Sequence, residues 1–246
     1  MEAAIRFDGV SKAFGALTVL DRVSFELARG HALCVLGRSG TGKSVLIKHL
    51  VGLIRPDAGR IFVEGEEITE LAAAGLSRVR KKIGFLFQYS ALFDSISVGE
   101  NVAFPLRRHT SLREGEIREQ VAEKLQRVGL AGIERKMPSE ISGGMRKRVG
   151  LARALALGPR ILLADEPSSG LDPVTAGEID ELLLDLKESE GTTMVIVTHN
   201  IPSARRIGDD LLMLHQGRIL ARGTASELEA SEHELVREFM KSQGAI

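Results

Sequence analysis

The stretch Gly37-Arg-Ser-Gly-Thr-Gly-Lys-Ser44 decides the fold of this 246-residue chain. An apolar run precedes it and a helical pattern follows it, which is the context of a phosphate-binding loop. Glycines let the backbone turn tightly, so that successive N–H groups and the helix N-terminus face phosphate oxygens. We therefore expect Lys43 to neutralise the β and γ phosphates of a nucleotide and Ser44 to bind Mg²⁺. The complete predicted loop consists of Gly37, Arg38, Ser39, Gly40, Thr41, Gly42, Lys43 and Ser44.

The rest of the sequence indicates an α/β fold with a largely parallel central sheet. Four short apolar runs predict strands that helices cover on both faces. These runs are residues 33–36, 83–87, 161–164 and 194–198. The first 30 residues and residues 59–65 alternate apolar and polar positions near turn signals. We expect a small antiparallel β subdomain there.

Helical patterns replace strand patterns between Gln88 and Ser142. Ser97-Val-Gly-Glu100 resembles a capping box, and residues 116–128 carry apolar side chains at helical spacing. A long helix is predicted at 145–157, and two short ones at 225–229 and 234–240. The predicted organisation is a nucleotide-binding core at residues 1–88 and 158–223, a helical subdomain at 89–157 and a short helical tail at 224–246.

Composition narrows the classes of function. Lys and Arg total 33, as do Asp and Glu, so no overall field recruits nucleic acid, and we expect no nucleic-acid partner. The single cysteine, Cys34, lies in an apolar run, which rules out an internal disulfide and indicates core packing in a reducing compartment. The sequence has no run of about 18 apolar residues to span a bilayer. We expect any membrane role to depend on a partner.

Two adjacent carboxylates, Asp165 and Glu166, follow a predicted buried strand. Because the carboxyl ends of parallel strands meet at one edge of a sheet, both should lie beside the phosphate loop. Asp165 would hold the Mg²⁺ shell, and Glu166 would polarise the attacking water as a general base. A solvated acidic turn before Pro167 is the alternative.

A second anion site is indicated at Ser142-Gly143-Gly144. Ser142 suits a helix N-cap whether or not it binds a ligand. Two glycines after a cap cost helix stability, but they clear side chains from the N-terminus so that a phosphate can reach the N–H groups. The first loop does not need this second site for its own nucleotide.

The ordered motifs resemble the ATP-binding subunit of ABC transporters over nearly the whole chain. Residues 141–145 correspond to the family's signature, Gln88 to its Q-loop, Gly170-Leu-Asp172 to its D-loop and His199 to its switch histidine. The resemblance implies a P-loop NTPase of the ABC type that hydrolyses ATP with Mg²⁺. It places Gln88 at the metal, and it makes His199 the residue that bonds the γ phosphate and holds the water.

The same resemblance implies a head-to-tail dimer of two copies. ATP would lie between the phosphate loop of one copy and a set of partner contacts on the other. Those contacts are Ser142, Gly143, Gly144 and Asp172. Phe14 would stack on adenine, with core packing as the alternative. Met145 replaces the glutamine that is commonest at the end of the signature.

Within the family, residues 86–110 and 137–148 resemble the MlaF type, which serves phospholipid transport with MCE-domain partners. The chain departs from the best-known members at residues 89–91 and 168–171. The resemblance implies two membrane permease subunits and an MCE-domain protein as partners, with a small regulatory subunit as a further candidate. It places the chain peripherally at the cytoplasmic face of the inner membrane.

Three other functions remain as alternatives. One is the ATPase of a polar-solute importer, the second a soluble ABC ATPase acting on nucleic acid, and the third an iron–sulfur assembly module. Soluble ABC ATPases usually carry a long coiled-coil insertion or two ATPase domains, and this sequence shows neither.

Overall fold

The computed structural model of the chain describes residues 3–242 and contains two β-sheets surrounded by helices. The strands are Ala3–Phe14 (β1), Leu17–Ala28 (β2), Ala32–Leu36 (β3), Ala58–Val63 (β4), Glu66–Glu67 (β5), Ile83–Leu86 (β6), Ile161–Asp165 (β7), Thr193–Val197 (β8), Asp210–His215 (β9) and Arg218–Gly223 (β10). The helices are Lys43–Leu50 (α1), Ala73–Arg80 (α2), Val98–His109 (α3), Glu114–Arg127 (α4), Gly143–Ala154 (α5), Pro173–Glu190 (α6), Ile201–Ile207 (α7), Ala225–Glu229 (α8) and Glu234–Lys241 (α9).

The larger sheet has six strands in the order β10-β9-β3-β8-β7-β6. Pairing is parallel from β9 to β6, and β9 and β10 are antiparallel. The smaller sheet, in the order β2-β1-β4-β5, is antiparallel. The predicted α/β class with an antiparallel subdomain is confirmed. The four predicted buried strands correspond to β3, β6, β7 and β8.

Strand β3 separates two apolar cores. Leu33 and Val35 belong to the core that β1, β2 and α1 also line, whereas Cys34 and Leu36 belong to the core shared with α3, α4 and α5. Side chains of a strand alternate between its faces, so a strand covered on both sides is apolar throughout. Burial raises the pKa of the Cys34 thiol to about 12. The cysteine is therefore an uncharged core residue, as expected.

Helices α3, α4 and α5 pack together beside β6, where the sequence predicts helices after Gln88. The buried side chains of this layer include Val102, Ile117, Val121 and Leu125. Helices α8 and α9 also agree with the predicted tail helices. Within residues 3–242, no helix has both the length and the apolar character needed to cross a membrane.

The bounds of α5 differ from the predicted 145–157. The helix begins at Gly143 and ends at Ala154. Ser142 caps it, because its Oγ accepts a hydrogen bond from the Met145 N–H at 3.2 Å. Both glycines after the serine therefore lie inside the first turn, where their N–H groups have no partner within the helix.

Only one of the two hydrogen bonds of the predicted capping box at Ser97 is present. Ser97 Oγ accepts from the Glu100 N–H at 3.2 Å. The Glu100 carboxylate does not return the bond, and it pairs instead with the guanidinium of Arg107, about two turns along α3. This ion pair lies at the surface. It occupies the carboxylate that would otherwise accept from the Ser97 N–H to complete the capping box.

A buried amide fixes the loop that precedes α3. Asn101 is fully buried, and its Oδ1 accepts from the Phe93 N–H at 2.8 Å. Its Nδ2 donates to the carbonyl oxygens of Phe93 and Ser97 at 3.0 Å and of Ile96 at 3.3 Å. The amide thus holds residues 93–97 in one conformation, while the Phe93 ring remains 45% exposed.

Replacing Asn101 with Ala is expected to lower the free energy of unfolding by about 2 kcal/mol or more, since buried backbone groups of the loop lose their partners. Urea denaturation measures the change. The control is Gln126→Ala, at an exposed position of α4, which should stay within about 0.5 kcal/mol of the unaltered chain. Equal losses in both variants would contradict a bracing role for Asn101.

Candidate functional site

The loop of residues 37–44 connects β3 to α1 and fits tightly between other backbone segments. Gly37 and Gly42 have φ values of +148° and +100°. A Cβ at Gly37 would lie 2.4 Å from the carbonyl oxygen of Leu214, and one at Gly42 would lie 2.7 Å from that of Val19. Both positions therefore require glycine, for conformation and for space. Thr41 Oγ1 donates to the Arg38 carbonyl at 2.9 Å and braces the loop internally.

Lys43 opens α1, and its ammonium lies inside the loop. Nζ donates to the carbonyl oxygens of Gly37 at 2.7 Å and Arg38 at 3.0 Å. Burial lowers the pKa of Lys43, and the negative charges of Glu166 and Asp165 oppose that shift. The cation and the two carboxylates thus share one electrostatic environment, as their sequence positions predict.

Ser44 and Asp165 form a pair of oxygen ligands. Ser44 Oγ donates to Asp165 Oδ1 at 3.1 Å, which joins the start of α1 to the end of β7. Burial, together with the charge of Glu166, raises the pKa of Asp165, whereas Ser44, Lys48 and Lys43 lower it. A hydroxyl beside a carboxylate suits a hard cation such as Mg²⁺, which usually takes one or two protein ligands and completes its shell with phosphate and water.

Glu166 and His199 face each other across the ends of β7 and β8. His199 Nδ1 lies 2.9 Å from Glu166 Oε1. Glu166 has φ +50°, an uncommon conformation for a residue with a side chain. Its N–H donates to the Val197 carbonyl at 2.8 Å. Backbone strain of this kind is found where the surroundings fix a side chain for function.

One cleft of about 620 Å³ brings most of the predicted site together. That volume suits a bound small molecule. The predicted residues that line the cleft are Phe14, Arg38, Ser39, Gly40, Gly42, Lys43, Ser44, Gln88, Glu166 and His199. Phe14 is 48% exposed and lines the cleft, so it is not packed in the core.

Four predicted residues lie at helix N-termini away from the cleft. Ser142, Gly143 and Gly144 start α5, and Asp172 caps α6 by accepting from the N–H groups of Val174 and Thr175 at 3.1 and 3.0 Å. A Cβ at Gly144 would lie 2.5 Å from Thr175 Cγ2. Within one chain, therefore, these residues pack α5 against α6 and do not reach the cleft. Their contact with ATP stays a prediction that needs a second copy.

Sequence reasoning missed Lys147, whose side chain connects α5 to the cleft. Its Nζ donates to the carbonyl oxygens of Gln88 and Glu166. The signal was available, because Lys147 shares the buried face of α5 with Gly144 and Leu151 at helical spacing. A lysine on an apolar helix face needs specific partners.

The chain is similar to known proteins over most of its length. The pattern of the ABC transporter family matches residues 20–169. The probable ribonucleotide transport ATP-binding protein mkl of Mycobacterium leprae is 46% identical over 243 residues, which cover 99% of this chain and 70% of that protein. The intermembrane phospholipid transport system ATP-binding protein MlaF of Escherichia coli K12 is 40% identical over 231 residues, or 94% of this chain and 86% of that protein.

Solved structures show the same fold. The ATP-binding cassette MJ0796, a dimer in a post-hydrolysis state with ADP and phosphate, matches with a TM-score of 0.84 at 32% identity, over 89% of this chain and 98% of that one. The protein cbiO1 of Clostridium perfringens, part of an ABC transporter complex, matches with a TM-score of 0.85 at 30% identity. The match covers 97% of this chain and 94% of that one. With a phosphate loop, paired carboxylates and a histidine in one cleft, the chain belongs to the ABC transporter family, as an ATP-binding subunit that hydrolyses ATP with Mg²⁺.

Proposed function

We propose that this ATPase works as a pair of identical copies and powers phospholipid transport through membrane subunits at the cytoplasmic face of the cell membrane. The ATPase mechanism is supported by five side chains that lie close together at one edge of the sheet: Lys43, Ser44, Asp165, Glu166 and His199. The pairing rests on a second feature, the glycine-bearing N-terminus of α5 that lies away from the cleft.

Residues of the loop would bind and orient ATP. Lys43 would exchange its carbonyl partners for phosphate oxygens, while the N–H groups at the start of α1 face the same phosphates. Ser44, Asp165 and Gln88 would hold Mg²⁺, which when bound neutralises charge on the phosphates. Phe14 would stack on the adenine ring.

Hydrolysis would use the two groups opposite the loop. A water oxygen attacks the γ phosphorus as the bond to the β–γ bridging oxygen breaks, and Glu166 accepts the proton that the water releases. His199, whose Nδ1 lies 2.9 Å from Glu166 Oε1, would bond the γ phosphate and hold the attacking water beside that carboxylate. Ser142 to Gly144 of the second copy would complete the phosphate contacts, which makes hydrolysis dependent on pairing.

Replacing Glu166 with Gln should reduce kcat for ATP at least about a hundredfold, because the amide cannot accept the proton. Affinity for ATP should stay within about threefold, since the side chain keeps its shape and position. Phosphate release and equilibrium nucleotide binding measure the two effects. Glu188→Gln, at an exposed position of α6, is the matched control. Turnover at the unaltered rate in Glu166→Gln would remove the role assigned to Glu166.

An apolar groove beside the cleft offers a docking site for a permease subunit. It has a volume of about 330 Å³ and lies between β6, α3 and α5. Phe93 and Phe104 are 45% and 50% exposed at its edge, and their ring centroids lie 5.1 Å apart. Phe85 and Phe87 stack inside it at 4.1 Å. Clustered exposed aromatic rings mark protein–protein contact sites.

Replacing both Phe93 and Phe104 with Ala should abolish co-purification with the permease while ATP binding persists, because aromatic anchors carry most of the energy of such contacts. Pull-down from detergent-extracted membranes measures the association. The control is Leu53→Ala, which removes a side chain 57% exposed outside the groove. Undiminished association in the double variant would place the permease elsewhere.

The cargo is proposed from sequence similarity. Residues 86–110 and 137–148 resemble the MlaF type, and the Escherichia coli relative is named for intermembrane phospholipid transport. The mycobacterial relative is named for ribonucleotide transport, which favours a polar-solute importer as the second candidate.

Purification of the assembled transporter distinguishes these cargoes. We expect an integral permease and an MCE-domain protein to accompany the chain, with phospholipid bound to the complex and detected by mass spectrometry. A ribonucleotide in place of phospholipid would support the second candidate. Soluble partners alone would contradict transport altogether.

A further inference from the structure

Lys147 is a buried cation with no place in the mechanism described so far. It lies five residues after the cap Ser142, on the face of α5 that points into the protein, and is 6% exposed. Lysine is rarely buried without a specific partner, because removing an ammonium from water is costly. The side chain therefore needs specific partners in this position.

The partners of Lys147 are the backbones of two site residues. Nζ donates to the carbonyl oxygen of Glu166 at 2.8 Å and to that of Gln88. These carbonyls belong to segments that follow two different strands, β7 and β6. A single ammonium thus connects the segment of the proposed general base to the segment of the proposed metal ligand.

The Glu166 carbonyl that Lys147 binds belongs to a residue with a strained backbone conformation. Glu166 has φ +50°, and the same carbonyl also accepts from Ser169 Oγ at 3.0 Å. The Ser169 N–H donates to it as well, at 3.2 Å, so Lys147 is the charged one of three donors, and hydrogen bonds from charged donors are roughly twice as strong as neutral ones. Loss of Lys147 would let the strained turn relax and move the Glu166 carboxylate away from His199.

The remainder of the same helix face already fixes the segment after β6. Arg153 donates to the carbonyl oxygens of Ser90 at 2.5 Å and Ala91 at 2.7 Å. A Cβ at Gly150 would lie 3.0 Å from Ser90 Cβ. Helix α5 is therefore bonded to residues 88–91, and Lys147 extends this connection to Glu166.

We propose that Lys147 is a positioning residue for ATP hydrolysis, which ties the helix that starts at Ser142 to the backbones of both Gln88 and Glu166. The inference rests on the proposed roles of those two residues and of the second copy. It implies that contact between the α5 N-terminus and the nucleotide of the other copy is transmitted, through one side chain, to the water-activating group of the same chain.

Lys147→Met tests the proposal on the full-length chain, because Met keeps the unbranched stem and removes all donors. We expect kcat for ATP to fall about tenfold to a hundredfold, as expected when a reacting group is displaced by about 1 Å, with KM changed less than about threefold. Lys147→Arg, which keeps charge and donors, should recover kcat to within about threefold of the unaltered chain. Should Lys147→Met fail to fold, Lys147→Gln takes its place, since its shorter amide cannot reach both carbonyls.

The matched control is Lys187→Met. Lys187 also donates from a partly buried position to a backbone carbonyl, that of Ile207 at 3.0 Å, and to Asp209 Oδ1 at 3.0 Å, and it does not line the cleft. This variant should lose stability and keep both kcat and KM. Equal loss of kcat in the two variants, or an unchanged kcat in Lys147→Met, would overturn the proposal. An Arg variant as slow as the Met variant would also count against it.

Glu166→Gln, assayed in parallel, distinguishes failure of the proposed general base from failure of the proposed role of Lys147. Normal turnover in Glu166→Gln would remove the proposed general base and the function built on it. An inactive Glu166→Gln beside a fully active Lys147→Met would overturn the positioning role alone.

Discussion

Parallel pairing of β3, β8 and β7 is the constraint on which the site depends. Parallel strands all end at the same edge of a sheet, so residues far apart in sequence become neighbours there. The phosphate loop follows β3, Asp165 ends β7, Glu166 follows it, and His199 follows β8. No single segment carries the chemistry. The sheet order brings cation, carboxylates and imidazole to one cleft, and the buried apolar faces of each strand keep that order fixed.

The sequence was most informative where a motif and its flanks agreed. A phosphate loop between an apolar run and a helical pattern has few competing interpretations, and Asp165 with Glu166 required only that their strand be parallel to β3. The bounds of α5 were less predictable, since glycines count against a helix in propensity, whereas the Ser142 cap stabilises the helix start. Helix propensities of residues apply to the helix interior, whereas a cap residue stabilises the first turn by accepting hydrogen bonds from its free N–H groups.

Lys147 shows a different limit of sequence reasoning. Its helical spacing predicts burial, but the partners are carbonyl groups, which every residue possesses. No residue type identifies a backbone acceptor, so the contact with Gln88 and Glu166 becomes visible after the fold is known. The same holds for Asn101, whose amide is satisfied by the backbone of residues 93–97. Side chains that organise loops by binding main chain are systematically harder to predict than those that bind ligands.

The close approaches at Gly37 and Gly42 also affect how the sequence can change over time. Every missense mutation of a glycine codon adds a Cβ, and at these two positions that atom would collide with the backbone of Leu214 or Val19. Gly40 of the same loop lines the cleft and has no neighbour within 4 Å of an added Cβ, so only its φ of +80°, which favours glycine and asparagine, restricts substitution there. Substitution at Gly37 or Gly42 would therefore demand a simultaneous shift of a neighbouring strand, whereas substitution at Gly40 would not.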